Sequence, residues 1–192
     1  MSGRSRHGTR ACVQRSFREP RFLIEALSHS PSERDVDDLA QVLVDVVNAG
    51  GSVSFMAPLP LEEAKTWWHS AFAKAAPNAV FFVDRDDEGI VGTVQLHPAW
   101  QPNQLHRADI AKLMVHSRGR RRGIARALMT AAETHARQMG LTLLTLDTVR
   151  GDAAEQLYAG TGWERTGVIP CYALDPFGKM CDTVIFFKHL AS

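Results

Sequence analysis

Between Ile110 and Glu133 the chain reads as an apolar strand, a basic loop and a helix. Ile110–Val115 alternates, Arg120-Arg121-Arg122-Gly123-Ile124-Ala125 is charged and then small, and Arg126–Glu133 is built from helix formers. The first N–H groups of such a helix have no intrahelical partner, and its dipole leaves partial positive charge at that end. Gly123 permits close backbone approach and Ala125 adds almost no side chain. With guanidinium donors beside them, this set suits a pyrophosphate better than a single carboxylate. Four arginines within Arg118 to Arg122 also fit a solvated turn or a nucleic-acid patch.

The loop resembles Q/R-x-x-G-x-G/A, the acyl-CoA pyrophosphate loop of the GNAT superfamily of N-acetyltransferases, with Arg120, Gly123 and Ala125 in the defining places. Downstream, Ala154 through Leu157, Tyr158, Gly162 and Trp163 match that family's A-x-x-L-Y-x-x-x-G-(F/W) signature. The resemblance implies an α/β fold: a GNAT-type mixed, mostly antiparallel sheet with a splayed central strand pair, flanked by about four helices. It implies acetyl-CoA as cosubstrate, gripped by Arg120, Arg121, Arg122, Gly123, Ile124 and Ala125, with the backbone of Leu113, Met114 and Val115 bonding the pantetheine amides as an added strand would. Two positions depart from the family pattern. Gly151 stands where many members have a pantetheine-binding asparagine, with Asp152 the nearest polar replacement, and Arg121 stands where small residues are common.

Acetyl transfer to an amine requires loss of an amine proton, polarisation of the thioester carbonyl and protonation of the departing thiolate. An alkyl ammonium ionises near ~10.4, so a base or an anionic water channel is needed at neutral pH. Asp109, entering the cofactor strand, and Asp147, leaving the next strand, are the candidate water-mediated bases; either also reads as a solvated strand-end acid. The resemblance gives Tyr158 the task of protonating the thiolate and gives a backbone N–H around Leu113–Val115 the carbonyl. His97, His106 and His116 are further bases by proximity, with His116 assigned to the polar turn. No motif implies a metal, and none is expected. Cys171 has no activating base beside it in sequence, so direct transfer in a ternary complex is expected over a covalent route.

Gly50–Met56, Asn103–Val115, Leu146-Asp147-Thr148 and Lys188 look similar to the tabtoxin-resistance type of GNAT enzyme. That type implies a small-molecule amine acceptor, amino-acid-like or toxin-like, and a part in detoxification or resistance. Phe55, Met56, Trp67, Trp68, Trp100, Tyr172 and Phe177 are the aromatic and apolar candidates for its pocket, although Trp67 and Trp68 cannot both face inward. A protein N-terminal or lysine acetyltransferase and a non-catalytic acyl-CoA sensor are the alternatives.

The elements that must position these residues follow from pattern. Strands are expected at Arg21–Ala26, Ala79–Asp84, Ile90–Leu96, through Ile110–Val115, and at Leu141–Asp147, Trp163–Val168 and Thr183–His189, the last two separated by a turn-rich Pro170–Asp182. In the cofactor strand, alternation places Asp109, Ala111, Leu113 and Val115 on one side, with Ile110, Lys112 and Met114 on the other. Helices are expected from Glu33 to about Asn48 behind a Ser32 cap, from Pro60 to about Ala75, from about Arg122 to Gly140, and through Tyr158. The third should bury Ile124, Leu128, Ala131, Ala132, His135 and Met139.

With 192 residues and 45% hydrophobic content, one domain from residue 21 to 192 is expected, behind a polar extension at residues 1–20. A net charge of +1 offers no global field for nucleic acid, and no window approaches the roughly 20 apolar residues of a membrane span. Three scattered cysteines, Cys12, Cys171 and Cys181, suggest a reducing, cytoplasmic setting rather than a disulfide frame. A homodimer is allowed by the family resemblance, with Phe186-Phe187 as the apolar contribution.

Overall fold

A computed structural model describes residues 22–190; the proposed extension and Cys12 lie outside the described residues. Among the described residues, seven strands form one sheet in the order β1-β2-β3-β4-β5-β7-β6, with two helices on each face. The strands are β1 (Ile24–Leu27), β2 (Val80–Asp86), β3 (Gly89–Pro98), β4 (Arg107–Val115), β5 (Leu143–Val149), β6 (Glu164–Leu174) and β7 (Met180–His189). The helices are α1 (Glu33–Asn48), α2 (Leu61–Lys74), α3 (Ile124–Gln138) and α4 (Ala153–Ala159). Every neighbouring pair is antiparallel except β4 and β5, which α3 connects. This is the expected mixed, mostly antiparallel architecture.

Local chemistry sets the helix ends. Ser32 accepts from the Asp35 N–H at 3.2 Å while the Asp35 carboxylate accepts from the Ser32 N–H at 3.0 Å, a capping box that starts α1 where the sequence placed it. From there Val36, Leu39, Ala40, Val42, Leu43, Val46 and Val47 face a core shared with α2 and one side of the sheet. On the other side, α3 and α4 cover a second core containing Val94, Leu96, Leu144, Tyr158, Trp163 and Phe186.

The sheet opens at its parallel pair. β4 and β5 align only at Arg107–Leu143, Ala108–Leu144 and Asp109–Thr145, whereas β5 stays paired with β7 as far as Val149. From Ile110 onward β4 has no strand partner on its β5 side among the described residues. A bulge lies in the same stretch: Thr93 opposes Met114 and Gln95 opposes Ala111, so β4 spends one more residue than β3, and Lys112 sits at φ 51°. Simple alternation therefore fails here. Ile110 and Met114, expected on one side, enter opposite cores because the extra residue inverts the pleat.

Other expectations are corrected. α3 buries Ile124, Leu128, Met129, Ala132, Glu133 and Ala136, while Met139 is exposed and His135 half-buried. An acid occupies the buried face because its partners, Trp163 and Lys188, come from distant segments, beyond the reach of helical periodicity. β6 and β7 extend through most of the expected Pro170–Asp182 turn region, leaving Asp175–Lys179 as the tip. Pro170 is accommodated because β6 is an edge strand, where a missing N–H need cost no ladder bond. Phe186 is core rather than exposed; the exposed apolar side chains of this region are Ile169, Tyr172, Leu174, Phe177 and Met180.

Candidate active site

The basic loop leaves β4 through a single turn of 3-10 helix, Ser117–Gly119, which His116 caps by accepting from the Arg118 N–H at 3.2 Å. Asp45 of α1 secures this turn, accepting from the Ser117 N–H and hydroxyl, each at 2.8 Å. The arginine run divides. Arg118 turns back onto the β2–β3 hairpin, donating to Asp86 and to the Ile90 carbonyl at 3.0 Å, and Arg122 lies 3.9 Å from the same aspartate. Arg120 lies 3.6 Å from Asp45.

Gly123 is the N-cap of α3 at φ 86°, without a side chain to bond the following N–H groups, and no acid occupies the first turn. A Cβ at Gly123 would adopt a left-handed conformation and sit 3.3 Å from the Phe22 ring. The uncapped helix start opens onto a slot of about 460 Å³ whose walls include Leu113, Val115, Arg120, Arg121, Gly123 and Arg126. Ala153, Ala154 and Leu157 form its far side. This is the donor set an acyl-CoA would need: unpartnered amides and guanidinium groups for phosphates, then an apolar channel along an open strand edge. Of the expected cofactor residues, Arg122 does not line the slot, and the Met114 side chain is buried in the α1 core, so only its backbone is offered. Arg126 was missed by sequence reading; its position in the first turn of α3 was the available signal.

Across β4 lies a second cavity of about 280 Å³, lined by Lys112, Asp147, Asp152, Tyr158, Tyr172 and Thr183 among others. Leu113 lines both cavities, and so does Ala154, so the splay is a passage between them with a small side chain at the helical edge. Tyr158 is buried with its ring 5.9 Å from both Trp163 and Phe186, and burial, reinforced by Asp152 and Asp147, pushes its phenol well above the ordinary range. Asp147 accepts from the Thr183 hydroxyl at 3.1 Å.

The two expected carboxylates are not brought together. Asp109 occupies the paired, closed end of the β4–β5 junction, bonded to Arg107 at 2.9 Å and to the Thr145 hydroxyl, and lines neither cavity. His97 is bonded to Gln95 at 2.8 Å, and burial holds its imidazole below the usual range; His106 is exposed. The Cys171 side chain is exposed and outside the cleft, whereas Cys181 lines it with its thiol donating to the Ala173 carbonyl at 3.3 Å.

A third, larger cavity of about 720 Å³ adjoins this one through Gly51, Ser52, Leu113 and Cys181, with Gly50, Asp175 and Lys179 on its walls, and two segments meet beside it. The Ala57 N–H of the α1–α2 loop donates to the Pro176 carbonyl at the β6–β7 tip, 2.9 Å away, and the Phe177 ring covers Gly50. Trp68 is fully buried core, and Trp67 packs edge-on against Phe55 at 5.3 Å. Trp100 is 78% exposed and lines no part of the cavity.

Comparison with known proteins agrees with this arrangement. A curated N-acetyltransferase of Azospirillum brasilense, encoded in the hisH-hisA intergenic region, is 34% identical over 115 residues, which is 59% of this chain and 67% of the relative. A Salmonella typhimurium structure, yncA with its cofactor acetyl-CoA, superposes with a TM-score of 0.69 at 13% identity, covering 90% of this chain and 96% of that one. A ribosomal-protein-alanine N-acetyltransferase from Brucella melitensis gives a TM-score of 0.68 at 21% identity, covering 88% and 99%. The model of the Acetyltransferase (GNAT) family matches residues 52–163, from the α1–α2 loop through the basic loop to Trp163. With the splayed strands, the phosphate-ready loop and this match in agreement, the chain belongs to the GNAT family of acetyl-CoA-dependent N-acetyltransferases.

Proposed function

We infer that the protein transfers the acetyl group of acetyl-CoA directly to a primary amine of a small, amino-acid-like molecule. The observation that carries this reading is the polar cavity of about 280 Å³ in which Lys112, Asp147 and Tyr158 share one wall set, beside the larger space of about 720 Å³ that it joins at Gly51, Ser52, Leu113 and Cys181. The smaller volume lies just below the usual range of small-molecule sites, ~300 to 1,000 Å³, and the larger lies within it. Resemblance of Gly50–Met56 and Asn103–Val115 to the tabtoxin-resistance type supports the same acceptor class and a detoxifying role in the cytoplasm.

In this reading the cofactor side is held by Arg120, Arg121, Arg126 and the first amides of α3, and Leu113–Val115 supplies backbone donors. The acceptor nitrogen bonds to the acetyl carbon as the carbon–sulfur bond breaks. Tyr158 gives its proton to the departing thiolate, and Asp147, directly or through water, draws the surplus amine proton. Asp109, ion-paired at the closed end, serves geometry rather than proton transfer.

Release of free CoA across small amines, amino acids and N-terminal peptides is the test. Turnover with amino-acid-like amines is expected; turnover with peptides alone would replace this reading by a protein acetyltransferase. The passage itself makes a second expectation. Ala154→Phe fills the opening shared by the two cavities, so turnover should fall by about 100-fold or more from misplacement of the reacting atoms, while the fold, checked by thermal melting without ligand, persists. Normal turnover in that variant would place the passage elsewhere.

A further inference from the structure

Lys112 has no part in the chemistry described above, yet its ammonium lies in the acceptor cavity. The bulge that inverts β4 holds it at φ 51°, a conformation a non-glycine residue keeps only where its surroundings enforce it. Its ammonium donates to the Val53 carbonyl at 2.9 Å and to the Ser54 hydroxyl at 3.1 Å, and Ser54 is itself left-handed at φ 77°. The rings of Trp67 and Phe55 stand 5.6 and 5.9 Å from the charge. An ammonium has three donors, and these contacts occupy two. Lys112 and Asp147 line the same cavity as Tyr158.

A cation in the acceptor cavity of an amine acetyltransferase needs a reason, because it repels the protonated form of a simple amine. It is compensated if the acceptor carries an anion near its amine. We propose that Lys112 is a specificity-determining residue that binds the carboxylate of an amino-acid acceptor, while Asp147 faces the amino group. The cavity is then dipolar and matches a zwitterion, selecting free amino acids over polyamines, amino esters and amino amides of the same size. The aromatic pair holds the charge in place and the bonds to Val53 and Ser54 aim it. Burial lowers the Lys112 ammonium below the ordinary lysine range, with Asp147 opposing that shift, and an incoming carboxylate favours the charged form further.

This rests on the small-molecule reading above, and the experiment separates their failures. The best amino-acid acceptor and its carboxamide are compared as substrates of wild type, Lys112→Gln and Lys112→Arg, with CoA binding and thermal melting measured to establish that each variant is folded. Wild type should prefer the acid by about 10- to 100-fold in kcat/KM, the range of one hydrogen bond between charged groups. Lys112→Gln should collapse that preference toward unity, chiefly through KM for the acid, and Lys112→Arg should recover part of it. An acid-to-amide preference unchanged in Lys112→Gln would make Lys112 a loop tether only and overturn the proposal with the small-molecule reading intact. If no small amine is acetylated and peptides are, that reading falls and the proposal with it.

Discussion

Tyr158→Phe should lower kcat by about 10²- to 10⁴-fold, the usual contribution of a positioned acid, with acetyl-CoA affinity retained. Only the hydroxyl is lost: the phenyl ring keeps its packing between Trp163 and Phe186, so the melting temperature should barely move. The slot proposed for the cofactor is walled by other residues, which is why affinity and rate should separate. The pH profile supplies an independent reading. A thiolate-protonating tyrosine must be neutral, and burial beside Asp147 and Asp152 raises its ionisation above the ordinary value, so the protonated form persists as pH rises. No alkaline loss of kcat assignable to this group should occur below pH ~10. A variant that turns over at the wild-type rate would remove Tyr158 from the mechanism.

Glu133→Ala should cost about 3–5 kcal/mol of stability, because it breaks a buried ion pair from one side. Glu133 accepts from the Trp163 indole at 3.0 Å and from the Lys188 ammonium at 2.7 Å, and Lys188 also donates to the Thr161 carbonyl at 2.7 Å. The side chains of Glu133 and Lys188 are only 10% and 16% exposed, so water cannot readily replace the lost carboxylate. The network ties α3 and β7 to the turn after α4, the turn that fixes Tyr158. Urea denaturation should detect the loss, and replacing both partners, as in Glu133→Leu with Lys188→Met, should recover most of it. A loss under about 1 kcal/mol in the single variant would show that the pair is solvated or dispensable.

Much of the fold was legible because it is encoded locally. The Ser32–Asp35 capping box, the Asp87-Glu88 turn between β2 and β3, and the small residues after the arginine run each act over a few positions, so a short window contains the whole physical cause. What failed involved partners far apart in the chain. Glu133 is buried because Lys188 lies 55 residues away, and no helical period announces that. The β4 bulge depends on register with β3, so Ile110 and Met114 could not be sent to opposite cores from alternation alone. Asp109 and Asp147 looked equivalent as strand-end acids until the closed end of the splay took one and the cavity took the other.

By itself, then, the sequence determined the phosphate-ready loop, the helix and strand order and the Tyr158 signature, all written in contiguous residues whose conformational preferences are local. Only the tertiary structure decided which carboxylate lines the cavity with Tyr158, that Lys112 shares it, and that the α1–α2 loop meets the β6–β7 tip. Those features arise where separate segments meet, and the free energy that selects them belongs to contacts that exist only once the chain has folded.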